Sequence, residues 1–173
     1  MREAPPPYVG EGQHALWHVS EDDSIHRFEP REGKVWAIAT PLLPLHWFPR
    51  DCPRATFWAE STTTPEDAER FLDGDRGRRV HVVESDSLHR MRTARVLAYR
   101  MPEETFVEND DRFWISAEPV EPLELVEFGD LVDRHEAAGI ALDAEGDLLG
   151  LWDEVVASSL GFSGIRLRSA VRL

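Results

Sequence analysis

The chain has 173 residues, 42% of them hydrophobic and 30% charged, the balance of a globular protein and not of a disordered one. Its 19 basic against 33 acidic residues leave a formal net charge of −14, a field that repels phosphate backbones, so no nucleic-acid partner is expected. One cysteine excludes an internal disulfide and suits a reducing cytoplasm, and no run of about 18 apolar residues is there to span a membrane.

In chain order, residues 1–13 (MREAPPPYVGEGQ) carry three consecutive prolines and no apolar signal core. They read as a loose arm ahead of a single α+β domain over 14–173, in a cytoplasmic protein. Leu16–Ser20 is a short strand. Ser20-Glu21-Asp22-Asp23 has the residues of a helix start, with Ile25 and Phe28 as anchors and Pro30 as the stop. The central stretch Val35–Trp58 holds three of the six tryptophans. Its run Val35–Ala39 suits a buried strand, Leu42–Trp47 one or two helical turns, and Ala55–Trp58 the next strand.

Thr64, Pro65 and the acids at 66 and 67 start a helix that runs to Leu72 and stops at Asp73-Gly74. Strands are expected at Arg79–Glu84, Ala94–Met101, Phe113–Ser116 and Leu123–Phe128, with a short helix at Asp86–Met91. The densest basic cluster, Arg76, Arg78 and Arg79, is interrupted by Asp75 and reads as a solvated loop and strand edge. In the tail, 130–138 and 147–158 have helical spacing, with Leu148, Leu151, Trp152 and Val155 on one stripe. Gly139 and Gly161 are candidate C-caps, and Gly164–Arg168 is an edge strand. The expectation is an α+β fold with a mostly antiparallel, split sheet, short interleaved helices and a C-terminal helical hairpin.

Several side chains could carry chemistry. Arg50, Asp51 and Arg54 could form an anion pocket, the guanidiniums taking a phosphate or carboxylate bidentately; the alternative is an internal Arg–Asp pair tying down a Pro-rich loop. Cys52 between two arginines has the surroundings of a lowered pKa, and His46 is near in sequence; the alternative is a buried structural thiol. The seven histidines form no HxH, HExxH or CxxC string, so no metal is expected. Neither a Gly-rich phosphate loop nor a GxSxG elbow is present.

The strings LWHVSED, VWAIATP…FPRDCPR, YRMPEETF…FWISAEPVEPLEL and GFSGIRLRSAV together resemble a family of uncharacterised bacterial proteins, over residues 15 to 173. More distantly, the order of three short strings is similar to the ADP-ribosyltransferase-like fold. Leu16-Trp17-His18-Val19-Ser20 stands for its first, His-bearing strand. Val35–Thr40 ahead of Pro41–Phe48 stands for its second, and Trp114–Glu118 for the strand bearing a catalytic Glu. Val19 stands where that pattern has Gly, and Ser116 where many protein-modifying members have a second Glu or Gln.

This second resemblance implies NAD or a related nucleotide as substrate and cleavage of the nicotinamide bond through an oxocarbenium-like state, with a small nucleotide as partner. It implies His18 and Glu118 as catalytic, His18 on a ribose hydroxyl and Glu118 as the carboxylate that stabilises positive charge. Ser20, Trp36, Thr40, Trp47, Arg50 and Arg54 are the implied cofactor-binding residues, with Thr40 lining the site and Trp36 or Trp47 stacking the ring. The alternatives are a histidine bonded to a backbone carbonyl, a solvated Glu118, and a non-catalytic interaction protein of the same fold.

Overall fold

A computed structural model describes residues 3–10 and 14–171; the ends of the expected arm, 1–2 and 11–13, lie outside the described residues. The chain, expected as one domain over 14–173, divides into two compact units. One comprises Tyr8–Arg50 and Arg95–Gly129, the other Met1–Pro7, Asp51–Ala94 and Asp130–Leu173.

The first unit is a six-stranded antiparallel sheet. Its strands are β1 (Leu16–Ser20), β2 (Val35–Ala39), β5 (Val96–Met101), β6 (Val107–Glu108), β7 (Phe113–Ser116) and β8 (Glu124–Phe128), in the order β6-β7-β2-β1-β5-β8. Period-2 alternation decides what each face buries. Leu16, Val35, Ala37, Leu97, Tyr99 and Met101 lie in one core with Phe28, Phe106 and Val120 from the connections. Against the other face, a 3-10 helix over Thr40–His46 packs on β1 and β2. Pro41 and Pro44 within it suit short 3-10 turns better than a full α-helix. The helix-start signal at Ser20–Asp23 makes a turn instead: Ser20 Oγ accepts the Asp22 N–H (3.1 Å) and Asp22 Oδ1 the Ser24 N–H (2.9 Å). Tyr8 lies edge-on to Trp47 at 4.8 Å between ring centroids, an anchor that the arm reading did not include.

The second unit holds β3 (Arg54–Trp58), β4 (Arg79–Glu84), β9 (Ala141–Glu145) and β10 (Gly161–Ile165) in the order β10-β3-β4-β9, with α1 (Pro65–Leu72), α2 (Ser87–Thr93), α3 (Leu131–Ala137) and α4 (Leu148–Ala157). The helix starts follow the sequence signals. Thr64 Oγ1 accepts the Asp67 N–H (3.2 Å), Asp130 Oδ1 the Val132 N–H (2.9 Å) and Asp147 Oδ1 the Gly150 N–H (2.9 Å). Ala55, Phe57, Val80 and Val82 line one face of this sheet and meet Leu72 of α1 and Leu148 and Val155 of α4 in a single core. Each large apolar side chain buried there contributes about 1.5–3 kcal/mol. The arm also reaches this unit, where the Glu3 carbonyl accepts the Trp58 Nε1–H (3.2 Å) and its carboxylate is bonded to Ser61.

The expected helical hairpin of the tail is corrected. Between α3 and α4 lies β9, which pairs in parallel with β4, Val80 opposite Ala141. Its sequence ALDAE is short, acidic and without β-branched residues, so its strand conformation comes from the β4 edge and not from its own propensity. The last strand begins at Gly161, three residues before the expected start, and Gly161 caps no helix. A Cβ there would sit 2.4 Å from the Trp58 indole nitrogen, so the strand can pass Trp58 closely only with glycine.

Candidate functional site

Within the first unit, the sequence-derived candidates lie on both faces of the sheet. His18 faces the core side of β1, its Nδ1–H donating to the Trp36 carbonyl (2.7 Å) and its ring 4.6 Å from that of Phe28. Burial lowers its pKa, the carbonyl bond opposes this, and Arg31 adds to the lowering. Phe28 exchanges backbone bonds with Val120 (2.8 and 3.0 Å), which brings the segment after β7 towards His18. Glu118 in that segment is exposed, its N–H donating to Ser116 Oγ (3.1 Å). Trp36 projects from the face opposite to His18, 40% exposed, with the Phe113 ring 5.7 Å away.

Thr40 and Trp47, expected to line a ligand site, are buried at 0% exposure. Thr40 Oγ1 accepts the Trp17 Nε1–H (2.9 Å) and its hydroxyl donates to the Ala15 carbonyl (3.3 Å), which ties the 3-10 helix to β1. Trp47 is a core ring, in contact with Tyr8 and with Phe128 at 6.0 Å. Ser20 serves its own turn. Arg50 is exposed, its backbone N–H donating to Glu21 Oε1 (2.6 Å).

Arg54 belongs to the other unit. Asp51 instead meets Arg166 Nε at 3.5 Å. Cys52 is fully buried, and burial pushes its thiol pKa up despite hydrogen bonding to Ser87 and the charges of Arg54 and Arg90. It is a poor nucleophile.

What the sequence did not announce lies on the second face of the four-stranded sheet. Alternation puts Ala55, Phe57, Val80 and Val82 on the α1/α4 side and Arg54, Thr56, Trp58, Arg79, His81 and Val83 on the other. Thr56 stands opposite His81, and Trp58 opposite Arg79. Helices α2 and α3 pack against β4 and β9, and α3 buries Leu131 and His135, four residues apart on one stripe.

Besides Cys52, four basic side chains among the described residues are therefore withdrawn from water in this unit. Arg54 is 6% exposed, Arg79 4%, His81 and His135 0%. Arg54 Nη1 donates to the Cys52 carbonyl (3.1 Å). Burial brings each of the two guanidiniums down to a pKa of about 10, where they remain cations at neutral pH. Among the described residues, Nε and Nη1 of Arg79 have no hydrogen-bond acceptor, and no carboxylate lies close enough to act on its charge.

The two histidines form a defined pair. His135 Nδ1 lies 2.6 Å from the Leu131 carbonyl, which only accepts, so Nδ1 carries the proton and Nε2 the lone pair. His81 Nδ1 lies 2.9 Å from that Nε2 and must be the donor. Neutral His81 then bears its own lone pair on Nε2. Burial first, then His135, Arg79 and Arg54, hold His81 well below the usual imidazole range. Burial and Arg79 bring His135 to about 4, against the Leu131 carbonyl bond.

The reading of Arg76, Arg78 and Arg79 as a solvated cluster is thus corrected for its last member. Arg76 donates to the Thr63 and Glu60 carbonyls (2.9 and 2.8 Å) and Arg78 to Asp73, while Arg79 turns inward. The signal was the alternation Arg79-Val80-His81-Val82-Val83, in which polar residues share a register with Val83 and not with solvent. Among the described residues no three His, Cys, Asp or Glu side chains are grouped to hold a metal ion, and no helix is long and apolar enough to cross a membrane.

No curated protein and no solved structure matches the chain. One family model does, over residues 17–170, a span that takes in every strand except the first residue of β1, and the Arg79–His81–His135 cluster. The chain belongs to that family, a family of unknown function (DUF6886).

Proposed function

We propose that this chain binds a phosphate-bearing small molecule in the unit that holds Arg54 and Arg79, with NAD or a related nucleotide as the first candidate. Arg79 carries the reading. A guanidinium that is 4% exposed, with two nitrogens lacking an acceptor among the described residues, is costly to fold around. An uncompensated buried charge destabilises by about 3–5 kcal/mol where it has been measured. The chain has 33 acidic residues, yet among the described residues none acts on this cation. An anionic ligand would satisfy those donors, and the planar fork suits phosphate oxygens.

The choice of NAD comes from the resemblance to the ADP-ribosyltransferase-like fold. The same resemblance gives roles to His18 and Glu118, both of the first unit: a ribose contact through the His18 Nε2, left as acceptor by the Nδ1–H bond to Trp36, and the support of nicotinamide cleavage by Glu118. This reading of the first unit is independent of the anion site around Arg79. Calorimetry with NAD, ADP-ribose and inorganic phosphate on the wild type and on Arg79→Met tests the binding. The expected result is binding to the wild type, none to the variant, and a ligand-free Arg79→Met at least as stable as the wild type, because a buried cation has been replaced by an apolar stem. No binding of any of the three by the wild type, with a destabilised Arg79→Met, makes Arg79 a structural residue. A nicotinamide-release assay on the wild type and Glu118→Gln tests catalysis separately.

A second reading, a non-catalytic interaction protein, is favoured by one observation. Trp36, Ile115 and Val107 are neighbours across β2, β7 and β6 on one face, with Trp36 40% and Val107 67% exposed. A wild type that responds to none of the ligands supports it.

A further inference from the structure

The apolar row on the six-stranded sheet specifies a kind of partner as well as a place, a step that rests on the interaction reading given above. Trp36, Ile115 and Val107 stand in register across β2, β7 and β6. Trp36 and Val107 are exposed and Ile115 is half-buried. Phe113 shares their face two residues along β7, its ring edge-on to Trp36 at 5.7 Å. Among the described residues β6 is the last strand of its sheet, so the row runs out to an open edge. Neighbouring strands lie about 4.8 Å apart, so three side chains in a row span about 10 Å. An α-helix rises about 10.5 Å from residue i to i+7, and i, i+4 and i+7 share one stripe.

Charge narrows the choice of helix. The segments of this unit, 8–50 and 95–129, carry 15 acidic against 7 basic residues. Arg27, Arg95 and Arg100 are engaged by Glu29, Glu121, Asp23, Glu127 and Glu124. By contrast, exposed Asp110 and Asp111, in the turn between β6 and β7, and exposed Glu32, in the turn before β2, make no ion pair among the described residues. Because β2 and β7 run antiparallel, Glu32 lies on one flank of the row and the two aspartates on the other. Against Arg31, Lys34 and Arg112 in the same turns, Glu108 on the edge strand and Glu118 after β7 keep the surroundings acidic. The Trp36 ring already takes a cation, with Lys34 Nζ 5.3 Å from its centroid. A second copy of this chain would bring like charge to like charge.

We propose that this face is the docking site for a cationic amphipathic helix of another protein. The helix lies across β2, β7 and β6, with apolar residues on Trp36, Ile115 and Val107 and Lys or Arg residues over the acids on both flanks. The apolar contacts hold it, while the charges speed encounter and exclude acidic partners.

The probe is a helical peptide of leucine and lysine, with leucine at i, i+4 and i+7. It is set against a permuted peptide of the same composition and an analogue with glutamate for lysine. Fluorescence anisotropy of the labelled peptides with the full chain reads the binding. The helical peptide should bind at least tenfold more tightly than the permuted one, and the glutamate analogue should not bind. Trp36→Ser and Val107→Ser, both at exposed positions, should each weaken the helical peptide at least fivefold at an unchanged melting temperature. The double variant Asp110→Asn, Asp111→Asn should weaken it and flatten its salt dependence. Asp143→Asn with Glu145→Gln, which removes two exposed acids of the other unit, should change it less than twofold. Equal binding of the permuted peptide, unaltered binding by the Trp36 and Val107 variants, or no binding of any peptide overturns the docking site. A dimer in sedimentation that Trp36→Ser dissolves makes the face a contact between copies and overturns the cationic partner. Failure of the interaction reading itself shows elsewhere, as binding of NAD, ADP-ribose or phosphate by the wild type.

Discussion

The paired histidines make a prediction about stability that needs no ligand. His135 has a folded pKa of about 4 against an ordinary 6.5, because its charged form would be buried beside Arg79 and Arg134. A base whose pKa is depressed on folding contributes stability fully present above the unfolded value and lost as pH falls, since the unfolded chain then binds the extra proton. Each pH unit below 6.5 costs about 1.4 kcal/mol until the folded pKa is reached, so acidification from 7.5 to 5.0 removes about 2 kcal/mol through His135 alone. His81 and His18, both lowered by burial, act in the same direction. The carboxylates lowered on folding, among them Asp22, Asp67 and Asp130, titrate below this window and contribute little at pH 5. Urea denaturation at pH 7.5, 6.5, 5.8 and 5.0 reads the loss directly. The comparison is His135→Gln, whose side-chain carbonyl can still accept from His81 Nδ1–H but does not titrate. The variant should start less stable and fall less steeply, by about 2 kcal/mol over the range. A wild type as stable at pH 5.0 as at 7.5, or a variant with the same slope, would refute the assignment of a buried neutral pair.

Thr40→Val should destabilise by about 1–3 kcal/mol, because the buried Trp17 Nε1–H loses its acceptor, while Thr40→Ser should restore most of it in thermal denaturation. Trp152→Ala should cost about 2–3 kcal/mol in urea, since its ring packs on the Phe162 ring at 5.2 Å and on the core of the four-stranded sheet. Gly164→Ala should destabilise as well, its Cβ falling 2.7 Å from Trp152 and 2.5 Å from Leu167, and a double-mutant cycle with Trp152→Ala should show part of that strain relieved. Cys52 should resist a thiol reagent at pH 8 until urea unfolds the chain; rapid labelling of the native protein would contradict its burial.

Where the sequence carried periodicity and a stop signal together, it placed the element. Leu16–Ser20, Val35–Ala39, Pro65–Leu72 and Arg79–Glu84 are read to the residue, since alternation or a capping threonine marks each start and a left-handed Asp73 the end of the helix. It failed where conformation is imposed from outside, as on β9, whose ALDAE is a strand only because the β4 edge is there to pair with. The site was legible in the same uneven way. Arg54 was singled out for its charge, but in the company of Arg50 and Asp51, because proximity in sequence stood in for proximity in space.

The charge of Arg54 acts on His81 of the neighbouring strand, and His81 is paired with His135 from a helix 54 residues further on. A strand written Arg-Val-His-Val-Val invites the reading of a polar outer face, and only the helices packed on β4 and β9 turn that face inward. Once it is inward, the chemistry is decided by the satisfaction of donors and acceptors. His135 can be settled by its own helix and His81 by His135, but Arg79 keeps two nitrogens without an acceptor among the described residues. Polar groups buried for packing alone are bonded to the protein in the great majority of cases. Arg79, which departs from that rule at two nitrogens, is a cation in a chain with almost twice as many acids as bases, and this is the reason to look there for an anion brought from outside.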